Sequence, residues 1–498
     1  MGAGLAAGVL AACSDAGVSE FCICAGARNV SLVVGLERST NCRRWHFYDE
    51  RSAAFFALGR MMQTGRPVAV VTTSGTAVAE LLPATVEAYY QSLPLVLVTA
   101  DRPSSFRGSG APQAIEQVGM MASYARCLDI GGSAAEVGAF LADGFRDEIP
   151  LHLNVCLDEP RADDLAKLDG IAFEQVAGSA GTVSDEATAS LGEFLEGDRS
   201  GLCVLLGNLR EDERRGLVEF LFALGAPVLA EAASGLREKL GGLAVREVPA
   251  STNKVLRIGG VPSARFWRDL EEQPEIDVLS VSRGSFSGLA RESNVVSRVE
   301  WGELARGMDR PSGEAPLRAS GDPEPELDEE MRWFRILSEI IPAGSSVLIG
   351  NSLPIREWNA AATFEDRGLR CFSCRGANGI DGALSTFFGL SEEQSESWVI
   401  VGDLTALYDL GAPWILGQLA AGKRRIVVIN NGGGRIFSKL PSLVDLADSE
   451  RRAIENDHHL ELGHWAAMWG MGYQRVGRGD ELVVDEQIGS LVVEIVVG

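Results

Sequence analysis

Short apolar runs recur along the chain, each closed by glycine or a small polar residue and followed by a stretch with helical spacing. They include EFCICAG (20–26), RPVAVVTTSG (66–75), PLVLVTAD (94–101), GLCVLLGN (201–208), NKVLRIGG (253–260), SSVLIGN (345–351), SWVIVGD (397–403) and RRIVVIN (424–430). None alternates apolar with polar, so both faces of each strand are expected to be covered. Apolar strands separated by helical patterns predict parallel sheets with helices on both sides. The expected class is α/β, with doubly wound parallel-sheet domains.

Two composition shifts suggest boundaries. GIAFEQVAGSAGTVSDEAT (170–188) is rich in small residues, and RPSGEAPLRASGDPEPELDEE (310–330) in Pro, Gly and acid, reading as an exposed linker. Three domains follow, at 1–168, 185–308 and 328–498. The first and third share a strand, turn, helix habit, which suggests two related domains flanking another. A chain of 498 residues fits that division.

Composition narrows the possible partners. The formal charge of −24 works against nucleic acid and anionic membranes, and makes any group of arginines informative. No apolar run reaches the ~18 residues of a membrane span. MGAGLAAGVLAACSDAG lacks a basic leader segment and reads as a first helix, so a cytoplasmic location is expected. The nine cysteines are scattered, and Cys371 and Cys374 form a lone CxxC without the second pair of a structural zinc site.

Candidate chemistry centres on NNGGGRIF (430–437). Asp403 ends one apolar strand and Asn431 follows the next, so a carboxylate and an amide are expected side by side at neighbouring strand ends, where ligands of open α/β sheets bind. Both are hard oxygen donors of the kind Mg²⁺ (or Mn²⁺) takes together with ligand phosphates. The glycines allow close backbone approach, with the Gly433 carbonyl as a third donor. The reading is a diphosphate held through a divalent cation. An Asn-Gly turn alone would look similar; Asp403 at this spacing favours the cation.

The Gly-Asp and Asn-Asn pair resembles the metal and diphosphate motif of thiamine diphosphate-dependent enzymes. The resemblance implies a pyrimidine-binding domain, a central domain and a diphosphate-binding domain, matching the three segments. It also implies a carboxyl group against the cofactor's aminopyrimidine. Glu50 in YDERSAAFFALGR suits that role, although an acid in a first helical turn is favoured by the helix dipole alone. DERSAAFFALG, GAPQAIEQ (110–117), GNSLPIREWN (350–359), RGANGIDGALST (375–386) and GDLTALYDL (402–410) resemble the family's menaquinone-pathway branch. That branch joins 2-oxoglutarate, after decarboxylation, to isochorismate. EAASGLR (231–237) and RIGGVPSARFW (257–267) extend a looser match through the middle.

Both substrates are dicarboxylic acids, which planar bidentate arginines recognise. The resemblance assigns them Arg28, Arg102, Arg265, Arg356 and Arg375, with Gln113 and Ser352 as polar contacts. It places Gly75, Ile380, Gly402, Gly432, Gly433, Ile436, Phe437 and Leu440 around the cofactor, with a homodimer or homotetramer sharing active sites. For each arginine alone a surface ion pair is the plainer account, and for the apolar residues core packing. His46 and His152 in the first segment form no pair of the kind aldehyde-releasing relatives use, which favours carboligation; His458 and His459 read as structural. The chain departs from the family at Ala25 and Ala27, where proline and serine are usual, and at Pro112, where asparagine is common; Arg265 stands where lysine is frequent. Two alternatives stay open: a carboligase of acetolactate synthase type, and a silent relative that only binds the cofactor.

Overall fold

The computed structural model describes residues 2–174, 184–284, 286–308, 326–440, 443 and 446–497. Among them, strands form three sheets in which all paired neighbours are parallel. The first contains β1 (Glu20–Cys24), β2 (Arg43–Phe47), β3 (Val68–Thr72), β4 (Leu95–Asp101), β5 (Arg126–Ile130) and β6 (Leu151–Cys156) in the order β2-β1-β3-β4-β6-β5. The central sheet holds β7 (Leu202–Leu206), β8 (Val228–Ala230), β9 (Lys254–Ile258), β10 (Asp277–Val281) and β11 (Asn294–Val296) in the order β11-β10-β9-β7-β8. The last holds β12 (Ser346–Ile349), β13 (Arg370–Phe372), β14 (Glu396–Gly402), β15 (Lys423–Asn430), β16 (Gly472–Val476) and β17 (Ser490–Val496) in the order β13-β12-β14-β15-β17-β16.

Each quoted apolar run is a strand, and the α/β expectation holds. The first and last sheets share one topology when each is numbered from its own first strand. In both, the strand order reverses between the first and third strands, and ligand crevices open beyond the carboxyl ends at such a reversal. The loops that carry Arg28, Gly75 and Ser352 follow β1, β3 and β12, and Asp403 opens the helix Asp403–Tyr408 directly after β14. No helix among the described residues is long and apolar enough to cross a membrane.

The chain divides into two compact units. One comprises Met1–Ser179, Asp381–Glu393 and Tyr408–Ala420. Its core joins β1, β3, β4 and β6 to the helix Gly2–Asp15 through Val9, Leu10, Phe21, Ile23, Val71, Val98 and Leu153. The helix Glu50–Thr64 starts where the Asp49 side chain accepts from Ser52 N at 3.0 Å and stops at left-handed Gly65. It packs against the helix Ala383–Ser391 closely enough that a Cβ on Gly59 would lie 1.9 Å from the Thr386 carbonyl oxygen. Both helices are therefore fixed by backbone contact, with no space for a side chain at the crossing.

The other unit comprises Ala180–Ile380, Gln394–Leu407 and Ala421–Gly498 and carries the central and last sheets. Buried Arg237 links them: it donates to the carbonyls of Ala362 at 2.9 Å and Thr363 at 3.0 Å and stacks on the Phe364 ring. The acidic stretch expected as linker up to residue 330 ends earlier. Asp328 caps the helix Glu329–Ile340 by accepting from Met331 N at 2.8 Å, and Glu330 is buried. Composition concealed that start because helix N-termini favour the same acids as linkers.

Candidate functional site

In the second unit a cavity of about 160 Å³ opens at the carboxyl ends of β12, β14 and β15. Ser352, Ile380, Gly402, Asp403, Asn431, Gly433, Ile436 and Phe437 line it together with Glu330. Asp403 follows β14 and Asn431 follows the adjacent β15, so the expected pairing of carboxylate and amide is present.

The carboxylate of Asp403 is buried and accepts from Leu404 N at 2.6 Å and Gly433 N at 2.9 Å. Burial holds this carboxyl above the usual range, against the pull of those N–H groups and His458. His458 Nε2 lies 3.3 Å from Asp403 Oδ2, while its Nδ1 accepts from Leu460 N at 3.2 Å. An accepting Nδ1 leaves the neutral ring's proton on Nε2, facing the carboxylate. The histidine is thus a neighbour of the site, a role its place in the sequence did not signal.

Asn431 Nδ2 faces the Glu330 carboxylate, 3.2 and 3.3 Å from its two oxygens. Behind Glu330 stands buried Glu357, whose Oε1 accepts from Lys439 Nζ at 2.6 Å. Burial and then the Glu330 charge push the Glu357 carboxyl up to about 7. Glu330 lies 101 residues before Asn431, and no motif joins them.

The glycine turn is required by its geometry. Gly433 has φ +141°, and a Cβ there would lie 2.6 Å from the Glu455 carbonyl oxygen. Its own carbonyl accepts from Arg435 N at 2.9 Å, and Gly432 turns at φ +76°. A Cβ on Gly402 meets no atom within 4 Å, so that strand end leaves open space. Ile436 and Phe437 line the cavity; Leu440 does not, and is 42% exposed.

Ser352 adopts φ +71° at the start of the helix Leu353–Ala361, and its carbonyl accepts from Arg356 Nη1 at 2.6 Å. Burial and then neighbouring Arg375 hold the Arg356 guanidinium below its ordinary value. Arg375 is buried and donates to Asn351 Oδ1 at 2.9 Å, while its Nε is buried with no hydrogen-bond partner. Two adjacent guanidiniums form a positive spot beside the cavity-lining Ser352. Arg265 is not drawn to them. Its side chain is 75% exposed, 3.4 Å from Asp269 one helical turn on.

The first unit gathers a second set. Glu50 opens its helix half-buried, and burial raises its carboxyl, with Asp49 and Glu80 adding to the rise. Gly75 has φ +89°, and a Cβ on it would stand 3.1 Å from the Gln113 Cβ. Arg28 is buried, and burial and then Arg102 lower its guanidinium. Arg102 Nε donates to the Pro112 carbonyl at 2.9 Å, so the loop before Gln113 is held without the asparagine common in the family. Ala25 and Ala27 are exposed while Asn29 closes the loop, accepting from Gly26 N at 2.8 Å and donating to the Cys24 carbonyl at 2.9 Å. Buried Gln117 accepts from Gly75 N at 2.9 Å and donates to Asn154 Oδ1 at 2.9 Å. It fixes the Gly75 turn, and its only sequence signal was its place at the end of GAPQAIEQ.

His46 and His152 are apart in role. His46 is a half-exposed neighbour of Glu37, and burial pushes His152 down to about 4. All nine cysteines are free. The described residues contain no group of three or more His, Cys, Asp or Glu side chains suited to a metal, so a cation at Asp403 needs amide and carbonyl donors as well.

The profile of the thiamine pyrophosphate enzymes' N-terminal TPP binding domain matches residues 4–120. Over 97% of this chain and 93% of the relative, the sequence is 41% identical to a 2-succinyl-5-enolpyruvyl-6-hydroxy-3-cyclohexene-1-carboxylate synthase of Akkermansia muciniphila. Proteins of the same name from Bdellovibrio bacteriovorus, at 39% identity over 95% of this chain and 91% of the relative, and Geobacillus thermodenitrificans, at 32% over 86% and 81%, also match.

Proposed function

The chain belongs to the 2-succinyl-5-enolpyruvyl-6-hydroxy-3-cyclohexene-1-carboxylate synthase family of thiamine diphosphate-dependent transferases, and from that premise we propose how its residues divide the reaction. The protein is a decarboxylating carboligase of menaquinone biosynthesis, with 2-oxoglutarate as donor and isochorismate as acceptor. Thiamine diphosphate, when bound, supplies the nucleophilic carbon and the electron sink for loss of CO₂.

The cavity's chemistry suits that cofactor and a divalent cation. Asp403, Asn431 and the Gly433 carbonyl offer hard oxygens for Mg²⁺ or Mn²⁺. Gly402 leaves the backbone open to the diphosphate, Gly432, at φ +76° and outside the cavity lining, serves it by shaping the turn, and Ile380, Ile436 and Phe437 supply apolar walls. Glu50, with its raised carboxyl, holds or moves the proton at the aminopyrimidine. Gly75 and Gln113 stack at one turn, with Gln113 offering an amide to the substrate. Arg28 and Arg102 bind one set of substrate carboxylates, and Arg356 and Arg375 another, with Ser352 at the cavity edge. Arg265 joins them only by leaving Asp269, and Leu440 reaches the cofactor only by leaving its exposed position. We further expect a cytoplasmic homodimer or homotetramer with shared active sites, which sedimentation of the purified protein tests.

The observation that carries this reading is the meeting of Asp403, Asn431 and Gly433 at two adjacent strand ends around one cavity. The test is isochorismate consumption by purified protein with Mg²⁺, thiamine diphosphate and 2-oxoglutarate. Loss of its absorbance only when all are present is expected. Unchanged absorbance rejects the reading, and equal consumption with pyruvate in place of 2-oxoglutarate points to an acetolactate synthase type.

A further inference from the structure

We propose that Glu330 is a positioning residue for the divalent cation: its carboxylate captures the amide N–H groups of Asn431 and so turns the amide oxygen to the metal. The inference rests on the reading that Asp403 and Asn431 hold that cation.

An asparagine amide can present either end to a cation site, and only its oxygen coordinates. Asn431 Nδ2 lies 3.2 and 3.3 Å from the two Glu330 oxygens. A carboxylate only accepts, so the flipped amide would set oxygen against oxygen. One orientation survives, with Oδ1 on the far side from Glu330. The Asn431 main chain is held as well, because its carbonyl accepts from Arg435 Nε at 2.9 Å. Arg435 is itself gripped by Glu455 and by Asp457 at 2.7 Å.

Glu330 is built not to move. It is buried in the first turn of a helix capped by Asp328. Glu357 stands against it, tied to Lys439 at 2.6 Å. Lys439 also lies 3.7 Å from Asp328 Oδ2, so both flanks of Glu330 are tied to the segment that follows the glycine turn. Glu330 lines the same cavity as Asp403, close enough to orient a ligand of the cation. Groups that orient a metal ligand from behind contribute about tenfold to a hundredfold in metal affinity.

The experiment titrates Mg²⁺ into the full chain with saturating thiamine diphosphate, following tryptophan fluorescence and melting temperature without turnover. Glu330→Leu should raise half-saturating Mg²⁺ by about tenfold to a hundredfold. Glu330→Gln should raise it less, because an amide accepts from Asn431 but also tolerates its flipped form. In an Asn431→Ala background, Glu330→Leu should add nothing, as expected if it acts through that amide. If Glu330→Leu does not fold, Glu330→Gln carries the test. Parent-like Mg²⁺ binding in both variants, with Asn431→Ala weakened, overturns the inference alone. An undiminished Glu330→Leu effect in the Asn431→Ala background also overturns it, since Glu330 would then bind the cation directly. If Asn431→Ala leaves Mg²⁺ binding unchanged, the underlying reading falls and takes the inference with it.

Discussion

The backbone N–H of Gly433 donates to Oδ2 of Asp403 across 2.9 Å, so the turn after β15 and the acid after β14 are one structure. A change to either should damage both. Gly433→Ala forces a Cβ to 2.6 Å from a backbone oxygen at a φ of +141°. We expect a stability loss of about 1–3 kcal/mol from strain alone, with weaker cofactor binding. Asp403→Asn keeps only one acceptor oxygen for the N–H groups of Leu404 and Gly433, so it should cost about 1–3 kcal/mol of stability and abolish cation-dependent binding of thiamine diphosphate. Urea denaturation and cofactor titration, with and without a chelator, check the pair. Normal cofactor affinity in Asp403→Asn would remove this cavity as the cation site.

Glu50 separates binding from chemistry. Glu50→Gln keeps the shape of the first helical turn and removes the titrating group. Turnover should fall by about 10²–10⁴-fold, the usual worth of a positioned acid or base, while thiamine diphosphate binds as before. Steady-state kcat beside a fluorescence binding curve separates these effects. A variant with unimpaired kcat would leave Glu50 as a helix-start residue and nothing more.

The five arginines should not behave alike. Arg356 and Arg375 are adjacent, but Arg356 is exposed and Arg375 buried, so removing Arg356 should cost less than removing Arg375, which forfeits one charge-assisted contact, about 1.5–3 kcal/mol. In kcat/KM that is about tenfold to a hundredfold. Arg265 is 75% exposed and paired within its own helical turn, so Arg265→Ala should leave melting unchanged. If Arg265 swings to the substrate during turnover, KM rises in that variant all the same; an unchanged KM keeps it a surface residue. Separate KM values for the two substrates show which carboxylates each arginine serves.

Gln117 joins a turn to a sheet. It accepts from Gly75 N at 2.9 Å and donates to Asn154 Oδ1 at 2.9 Å, with almost no exposure. Gln117→Leu is close in size but strands Gly75 N, at about 1–3 kcal/mol, while Asn154 Oδ1 still accepts from Thr99 Oγ1 at 3.2 Å. We expect a lower denaturation midpoint and weaker thiamine diphosphate binding, whereas Gln113→Leu at the exposed face of the same loop should affect substrate KM with little change in melting. Equal stability of the two variants would show that the Gly75 turn holds itself.

The strands legible in the sequence were those apolar on both faces, such as β3 and β15. β6 lacks such a run because it carries His152 and Asn154 inward, two polar residues that burial in a hydrogen-bonded network makes acceptable. β2 and β5, at the sheet edges, are half-exposed and lack the continuous apolar run. At the site, Asp403, Asn431 and Gly433 could be read because strand order sets them one strand apart. Glu330 and His458 could not. Their contacts with Asn431 and Asp403 depend on how a distant helix and a later loop pack over the strand ends. Arg265 carries the opposite lesson: a family-like string fixed its identity but not the direction of its side chain.

Glu357 gives the site a pH signature. Its carboxyl is pushed up to about 7 from an ordinary 4.5, first by burial and then by Glu330. The folded chain therefore holds this proton more tightly than the unfolded chain does. That contribution is fully present below about 4.5 and is lost as pH rises towards 7. Its full size is on the order of 1–3 kcal/mol. Glu330 and Asp403, both also raised by burial, act in the same direction. Cofactor-free protein should accordingly lose stability from pH 5 to pH 7. Glu357→Gln cannot ionise and should flatten that slope; its amide oxygen still accepts from Lys439, so its midpoint at pH 7 should match or exceed the parent's. Urea midpoints at pH 5, 6 and 7 for parent and variant supply the comparison. Parallel slopes would show that the proton is not held on Glu357.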